Sequence, residues 1–91
     1  MNPSNLLTKF AAELIGTLVF LTIVIKANDK YAVAAGLLSA LLFMGNVTGH
    51  FNPAVSLMGL IQGNISIVDF LVFILAQSLG AVGATQLVKI L

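Results

Sequence analysis

Charged side chains punctuate this chain at only seven places, Lys9, Glu13, Lys26, Asp29, Lys30, Asp69 and Lys89, and the stretches between them are largely apolar. Between Lys9 and Lys26 only Glu13 interrupts the run. That spacing predicts a transmembrane helix over residues 8–27, close to the roughly 20 residues a bilayer core demands. Lys26, Asn28, Asp29 and Lys30 mark a short hydrophilic turn. Phe70 to Val88 carries no charge, which predicts a further span within residues 67–90.

The middle of the chain fits neither one span nor two. Residues 31–68 hold no formal charge apart from what His50 carries. As one helix they would measure about 57 Å, nearly twice the hydrocarbon thickness. Two full antiparallel crossings would need about 40 residues and a turn. One and a half spans fit: a helix over residues 31–47, a break at Thr48-Gly49-His50-Phe51, and a shorter helix from Pro53 to about Gln62 within residues 48–63. Pro53 pushes Asn52 out of the helical region and Gly49 loosens the chain. Asn52-Pro53 is also a helix start, because Asn is among the best N-caps and Pro at the first helical position gives up an N–H that has no partner. Ten residues reach about 15 Å, half the bilayer core, so this stub would begin near the midplane. Non-helical backbone at that depth survives only inside protein or beside a water-filled cavity. The carbonyls of Gly49, His50 and Phe51 and the amide of Asn52 are therefore expected to face water. A broken helix with its positive dipole end in a cavity is a recurring permeation device.

Composition narrows the class. The 91 residues are 59% hydrophobic and 8% charged, against about a quarter charged in soluble domains. With a mean hydropathy of +1.11, there are too few polar groups to coat a water-soluble enzyme or to keep a tail disordered. A net charge of +1 without Arg excludes an electrostatic nucleic-acid binder. The absence of Cys and the single His exclude a disulfide framework and a dedicated zinc or haem site. No nucleophile, paired carboxylate or phosphate-binding glycine loop is present, so no catalytic residue and no cofactor are expected. The N-terminal run is not read as a signal peptide, since Glu13 interrupts it and Ala27-Asn28-Asp29 is a poor cleavage site. The sum is an all-α, multi-pass integral membrane protein.

Three motifs then resemble one family. Gly49-His50-Phe51-Asn52-Pro53-Ala54-Val55 is similar to the NPA loop in the first half of aquaporins, the major intrinsic proteins. Ala12-Glu13-Leu14-Ile15-Gly16-Thr17 resembles that family's first helix, and Ala76-Gln77-Ser78-Leu79-Gly80-Ala81 its third. They stand in family order and cover nearly the whole chain. The resemblance implies three transmembrane helices plus one re-entrant NPA half-helix, a single repeat over residues 1–91 where family members usually hold two inverted repeats. The segment Thr48-Gly49-His50 is about one residue shorter than the usual small-Gly-x-His pattern, and the second helix is compact. The resemblance also implies pore-lining roles for Gly49, His50, Phe51, Asn52, Pro53, Ala54 and Val55, and loop-supporting roles for Glu13 and Gln77.

One repeat is not a pore, because a half-helix reaches only the midplane. The simplest supplier of a second half-helix is another copy inserted upside down, giving an antiparallel homodimer around each pore and, by analogy with the family's tetramers, a larger assembly of dimers. Lysines permit dual insertion: Lys9 and the amino terminus lie on one side, and Lys26, Lys30 and Lys89 on the other. Two Asn52 amides would then meet at the centre and donate to passing water, while the carbonyls of residues 49–51 accept its hydrogens. Opposed positive helix ends bar cations and interrupt a proton wire. The family's Arg after its second NPA has no counterpart, since Val55 follows the motif in every copy. Weaker cation exclusion and passage of glycerol, urea or ammonia beside water are expected.

Several residues keep more than one reading. Glu13 is either a carboxylate snorkelling to the interface or, as the resemblance implies, a buried acceptor for backbone N–H groups of the loop. His50 is read as a neutral loop residue rather than a pH gate, and Gln77 as a helix-to-loop hydrogen-bonding group rather than a solute contact. Ala32, Gly36 and Ala40, and Ala76, Gly80 and Ala84, recur at four-residue spacing and read as close-packing faces. Phe10, Phe20, Phe43, Phe70 and Phe73 read as lipid or packing contacts. Rival functions are a three-span permeabiliser of the holin type, a small antiparallel exporter coupling protons through Glu13, and an inactive half of a longer channel.

Overall fold

A computed structural model describes residues 5–91 and is all-helical. Four α-helices follow in order, α1 (Leu6–Ala27), α2 (Lys30–Met44), α3 (Pro53–Ile61) and α4 (Ile67–Leu87), with a 3-10 turn at Val88–Ile90 closing the chain. The amino-terminal amine invoked in the charge bias lies outside the described residues.

Each helix start carries a side-chain cap. Asn5 Oδ1 accepts from the N–H groups of Leu7 at 2.8 Å and Thr8 at 3.3 Å. Asp29 Oδ1 does the same for Tyr31 at 2.8 Å and Ala32 at 3.0 Å. Such caps supply acceptors that the first helical turn cannot find within the helix. Only Asn28 and Asp29 separate α1 from α2. Asn28 makes the reversal by taking a left-handed conformation, φ 53°, a region Asn enters more readily than most residues. At α4, Ser66 and Asp69 form a reciprocal capping box: Asp69 N–H donates to Ser66 Oγ at 3.0 Å, and Ser66 N–H to Asp69 Oδ2 at 3.3 Å.

α1 is the centre of the molecule, with α2 on one side and α4 on another. The small-residue faces make this close approach possible. Ala32, Gly36 and Ala40 of α2 and Ala76, Gly80 and Ala84 of α4 are all buried. A Cβ added at Gly36 would stand 2.8 Å from the Phe20 carbonyl oxygen, and one at Gly80 would stand 2.9 Å from that of Leu14. Backbone against backbone at this range gains dispersion contacts without needing water to be expelled, the arrangement suited to helices in lipid.

The outside of the molecule is apolar. Leu42, Phe43, Leu71 and Val82 are among its exposed large side chains, a surface that water would not tolerate as a continuous patch. α1 and the segment Ile67–Ile90 are each long and apolar enough to cross a membrane. α2 has 15 residues, about 22 Å of helix against a core of about 30 Å. It ends at Met44 instead of near Val47, because Gly45 and Asn46 are poor helix formers and the chain leaves the helix through a turn in which Val47 and Thr48 both donate to the Met44 carbonyl.

Candidate functional site

The candidate site is built around Glu13, which is 0% exposed although it sits in the middle of an apolar helix. Its carboxylate is engaged on both oxygens. Oε2 accepts from His50 N–H at 3.1 Å, and Oε1 accepts from Phe51 N–H at 2.8 Å and from Gln77 Nε2 at 2.9 Å. A carboxylate removed from water needs this kind of compensation to stay folded. Two of the three donors are backbone groups of a non-helical loop, so one side chain of α1 holds the path of residues 49–52 against the helix pair.

Gln77 extends the cluster. Its Nε2 also donates to Ser56 Oγ at 2.9 Å, and Ser56 Oγ lies 2.9 Å from His50 Nδ1, the direction of that last bond depending on the imidazole tautomer. Because Glu13 offers only acceptors when ionised, the amide orientation of Gln77 follows from chemistry. The His50 ring meets Phe73 edge to face, centroids 4.9 Å apart. Four elements thus converge: Glu13 from α1, His50 and Phe51 from the loop, Ser56 from α3 and Gln77 from α4.

Phe51 occupies the left-handed region at φ 52°, unusual for a bulky side chain and costing of order 1–3 kcal/mol. Two contacts hold it there. Its N–H is bound by Glu13, and its buried ring lies over Gly16, where a Cβ would come within 2.1 Å of the ring edge. Immediately after this kink Asn52 caps α3, accepting from Ala54 N–H at 2.7 Å through Oδ1. Pro53 takes the first helical position. The Asn52 Nδ2 hydrogens find no acceptor among the described residues, and the side chain is exposed.

The kink separates two cavities. One, of about 370 Å³, is lined by Gly49 and His50 together with Lys9, Thr48 and Asp69. The other, of about 310 Å³, is lined by Phe51, Asn52 and Pro53 together with Thr17, Phe20 and Gln77. The seven positions assigned to the pore by resemblance therefore divide. Gly49 and His50 face one cavity and Phe51, Asn52 and Pro53 the other. Ala54 is exposed on α3 and Val55 half-buried, and neither lines these two cavities.

Four participants escaped the reading from sequence. Ser56 is 0% exposed; a lone hydroxyl one turn into an apolar stub, where a buried polar group needs partners, was the available signal. Phe20, read as a lipid or packing contact, lines the cavity that contains Asn52, and it lies two turns along α1 from Glu13 on the same face. Lys9 and Asp69 form an ion pair at 3.1 Å on the wall of the other cavity; nothing local ties residues sixty positions apart. Among the described residues no three His, Cys, Asp or Glu side chains come together as a metal site.

Against known sequences, the model of the family described as "Major intrinsic protein" matches residues 1–91. The chain belongs to that family. Members of the major intrinsic protein family are integral membrane proteins, and the apolar exterior of this one accords with that. Among curated relatives, it is 44% identical over 91 aligned positions to "Glycerol uptake facilitator protein-like 6" of Lactiplantibacillus plantarum, covering 89% of this chain and 42% of that protein. It is 39% identical over 72 positions to "Probable aquaporin TIP-type" of Medicago truncatula, covering 66% of this chain and 29% of that protein. The chain thus spans less than half the length of the curated relatives it matches. No solved structure matches it.

Proposed function

We propose that this major intrinsic protein chain is one repeat of a passive channel for water and small neutral solutes. It contributes three membrane crossings, α1, α2 and α4, and a re-entrant half-helix, α3, whose Asn52-Pro53-Ala54 start stands at the midplane. The pore is completed by a second, inverted copy. The observation that carries the reading is the hold of Glu13 on the N–H groups of His50 and Phe51. With those donors occupied, the loop carbonyls are left as the acceptors of the path, and the kink that follows leaves the Asn52 amide free to donate. A single file of water needs both acceptors and a donor, and the two cavities lie on either side of that kink.

The nine-residue length of α3, which reaches only about half of the bilayer core, supports a pore shared between two repeats. The name of the glycerol facilitator-like relative also supports glycerol as a permeant beside water. Proton-coupled export through Glu13 fits less well, because both carboxylate oxygens are already committed to N–H donors at 0% exposure. Insertion in both orientations is the simplest way for one sequence to supply both half-helices.

The deciding experiment is stopped-flow water and glycerol permeability of reconstituted protein, with Asn52→Asp as a control that changes the central donor into an acceptor. Flux above that of empty liposomes, lost in the variant, is the expected result. No flux at any protein density would overturn the reading. Single cysteines at positions 2 and 91 of this Cys-free chain test dual insertion. Label reaching each position from both sides of the membrane is expected, and one fixed pattern would remove the inverted homodimer.

A further inference from the structure

The mouth of the Gly49–His50 cavity carries the one ion pair found among the described residues, Lys9 with Asp69, and the proposed function gives it no role. Both side chains are largely covered, at 20% and 14% exposure. Asp69 is not free to leave. Its Oδ2 accepts from Ser66 N–H as part of the α4 capping box, while Oδ1 accepts from Lys9 Nζ. A carboxylate is therefore fixed on the cavity wall by the needs of the helix end, whatever stands opposite.

A single charge on a narrow wall of low dielectric focuses its field into the cavity and concentrates counter-ions there. Rings of acidic side chains are how cation channels select. A path for neutral solutes must avoid this. At 3.1 Å the Lys9 ammonium cancels the Asp69 field within a few ångströms. We infer that the Lys9–Asp69 pair is the charge-selectivity lock of this conduit, which keeps its mouth electrically silent so that neutral molecules pass and ions are not gathered. The inference rests on the channel reading, and in an inverted pair of copies the lock stands at both mouths.

The pair can be broken from either side with opposite results. Lys9→Met keeps the aliphatic stem and leaves Asp69 uncompensated, and Asp69→Asn keeps the shape and leaves Lys9 uncompensated. In proteoliposomes, Lys9→Met is expected to raise sodium leak about tenfold over the unmodified chain, the size expected of an unpaired charge a few ångströms from a partly solvated path. Asp69→Asn is expected to raise chloride leak instead, and Lys9→Met with Asp69→Asn together to return both to the starting level. A purely mechanical strut would make all three variants leaky alike with no preference of sign, and that result overturns the inference. So does a Lys9→Met protein that conducts water without added sodium leak. If the unmodified chain passes no water, the channel reading fails first and the lock falls with it.

Discussion

Glu13 concentrates most of what single residues do here. Three N–H groups point at its carboxylate from two other segments of the chain. Each donor left buried without an acceptor costs about 1–3 kcal/mol. Glu13→Ala orphans the two loop donors, since Gln77 keeps Ser56, and is expected to lower the unfolding free energy by at least about 2 kcal/mol, read as the midpoint of unfolding in sodium dodecyl sulfate. Glu13→Gln keeps one acceptor and should cost less, while the flux per folded molecule persists; loss of flux with stability unchanged would favour proton coupling instead. Gly16 matters for a different reason, since it alone makes room for the Phe51 ring. Gly16→Ala must displace that ring and unseat the left-handed kink, with an expected loss of about 1–3 kcal/mol. An unchanged unfolding midpoint would show that the ring has somewhere else to go.

At the scale of elements, α3 shows how a short helix persists. Nine residues are too few to hold a helix by propensity alone. Asn52 caps its start, Pro53 pre-sets its first turn, and the Ser56 bonds to Gln77 and His50 anchor it sideways. Asn52→Ala removes the cap, worth about 1 kcal/mol, and also the free amide. It is therefore expected to reduce water flux more than its modest change in stability explains, which stopped-flow and unfolding measurements on one preparation would separate. For α4 the capping box is the corresponding device. Ser66→Ala is expected to cost about 0.5–2 kcal/mol and to loosen Asp69, so that ion leak rises alongside. Capping and turn chemistry is local, so the signals at Asn28-Asp29 and Asn52-Pro53 could be read along the sequence, while the cap at Ser66 was not read there. The end of α2 at Met44 was less legible, because an apolar helix passing into a turn leaves only Gly45 and Asn46 as its marker.

At the scale of the molecule, α2 and α4 pack on α1 while α3 packs on α4, which leaves α3 open on one side. Asn52, Pro53, Ala54 and Met58 are exposed there, beside the cavity that contains Asn52. If an inverted copy closes the pore, this is the face it meets near the two-fold axis. Ala54→Cys is then expected to form a disulfide-linked pair at twice the 9.5 kDa chain mass, detected on a non-reducing gel of protein in lipid. A monomer band alone, under conditions that oxidise a control cysteine pair, would place the partner elsewhere.

What the sequence determined by itself was whatever depends on neighbours in the chain. The spacing of seven charges marked the apolar runs, the residues beside Pro53 started a helix, and the order of three short motifs pointed to the family. The fold decided what depends on residues distant in sequence. It brought the N–H groups of His50 and Phe51 to the Glu13 carboxylate, recruited Ser56, put Phe20 on a cavity wall and paired Lys9 with Asp69. Hydrophobic period and helix caps act over a few residues and can be read along a line. A buried carboxylate, a ring over a glycine and an ion pair sixty residues apart obtain their partners only when helices pack, so their meaning lay in the packing.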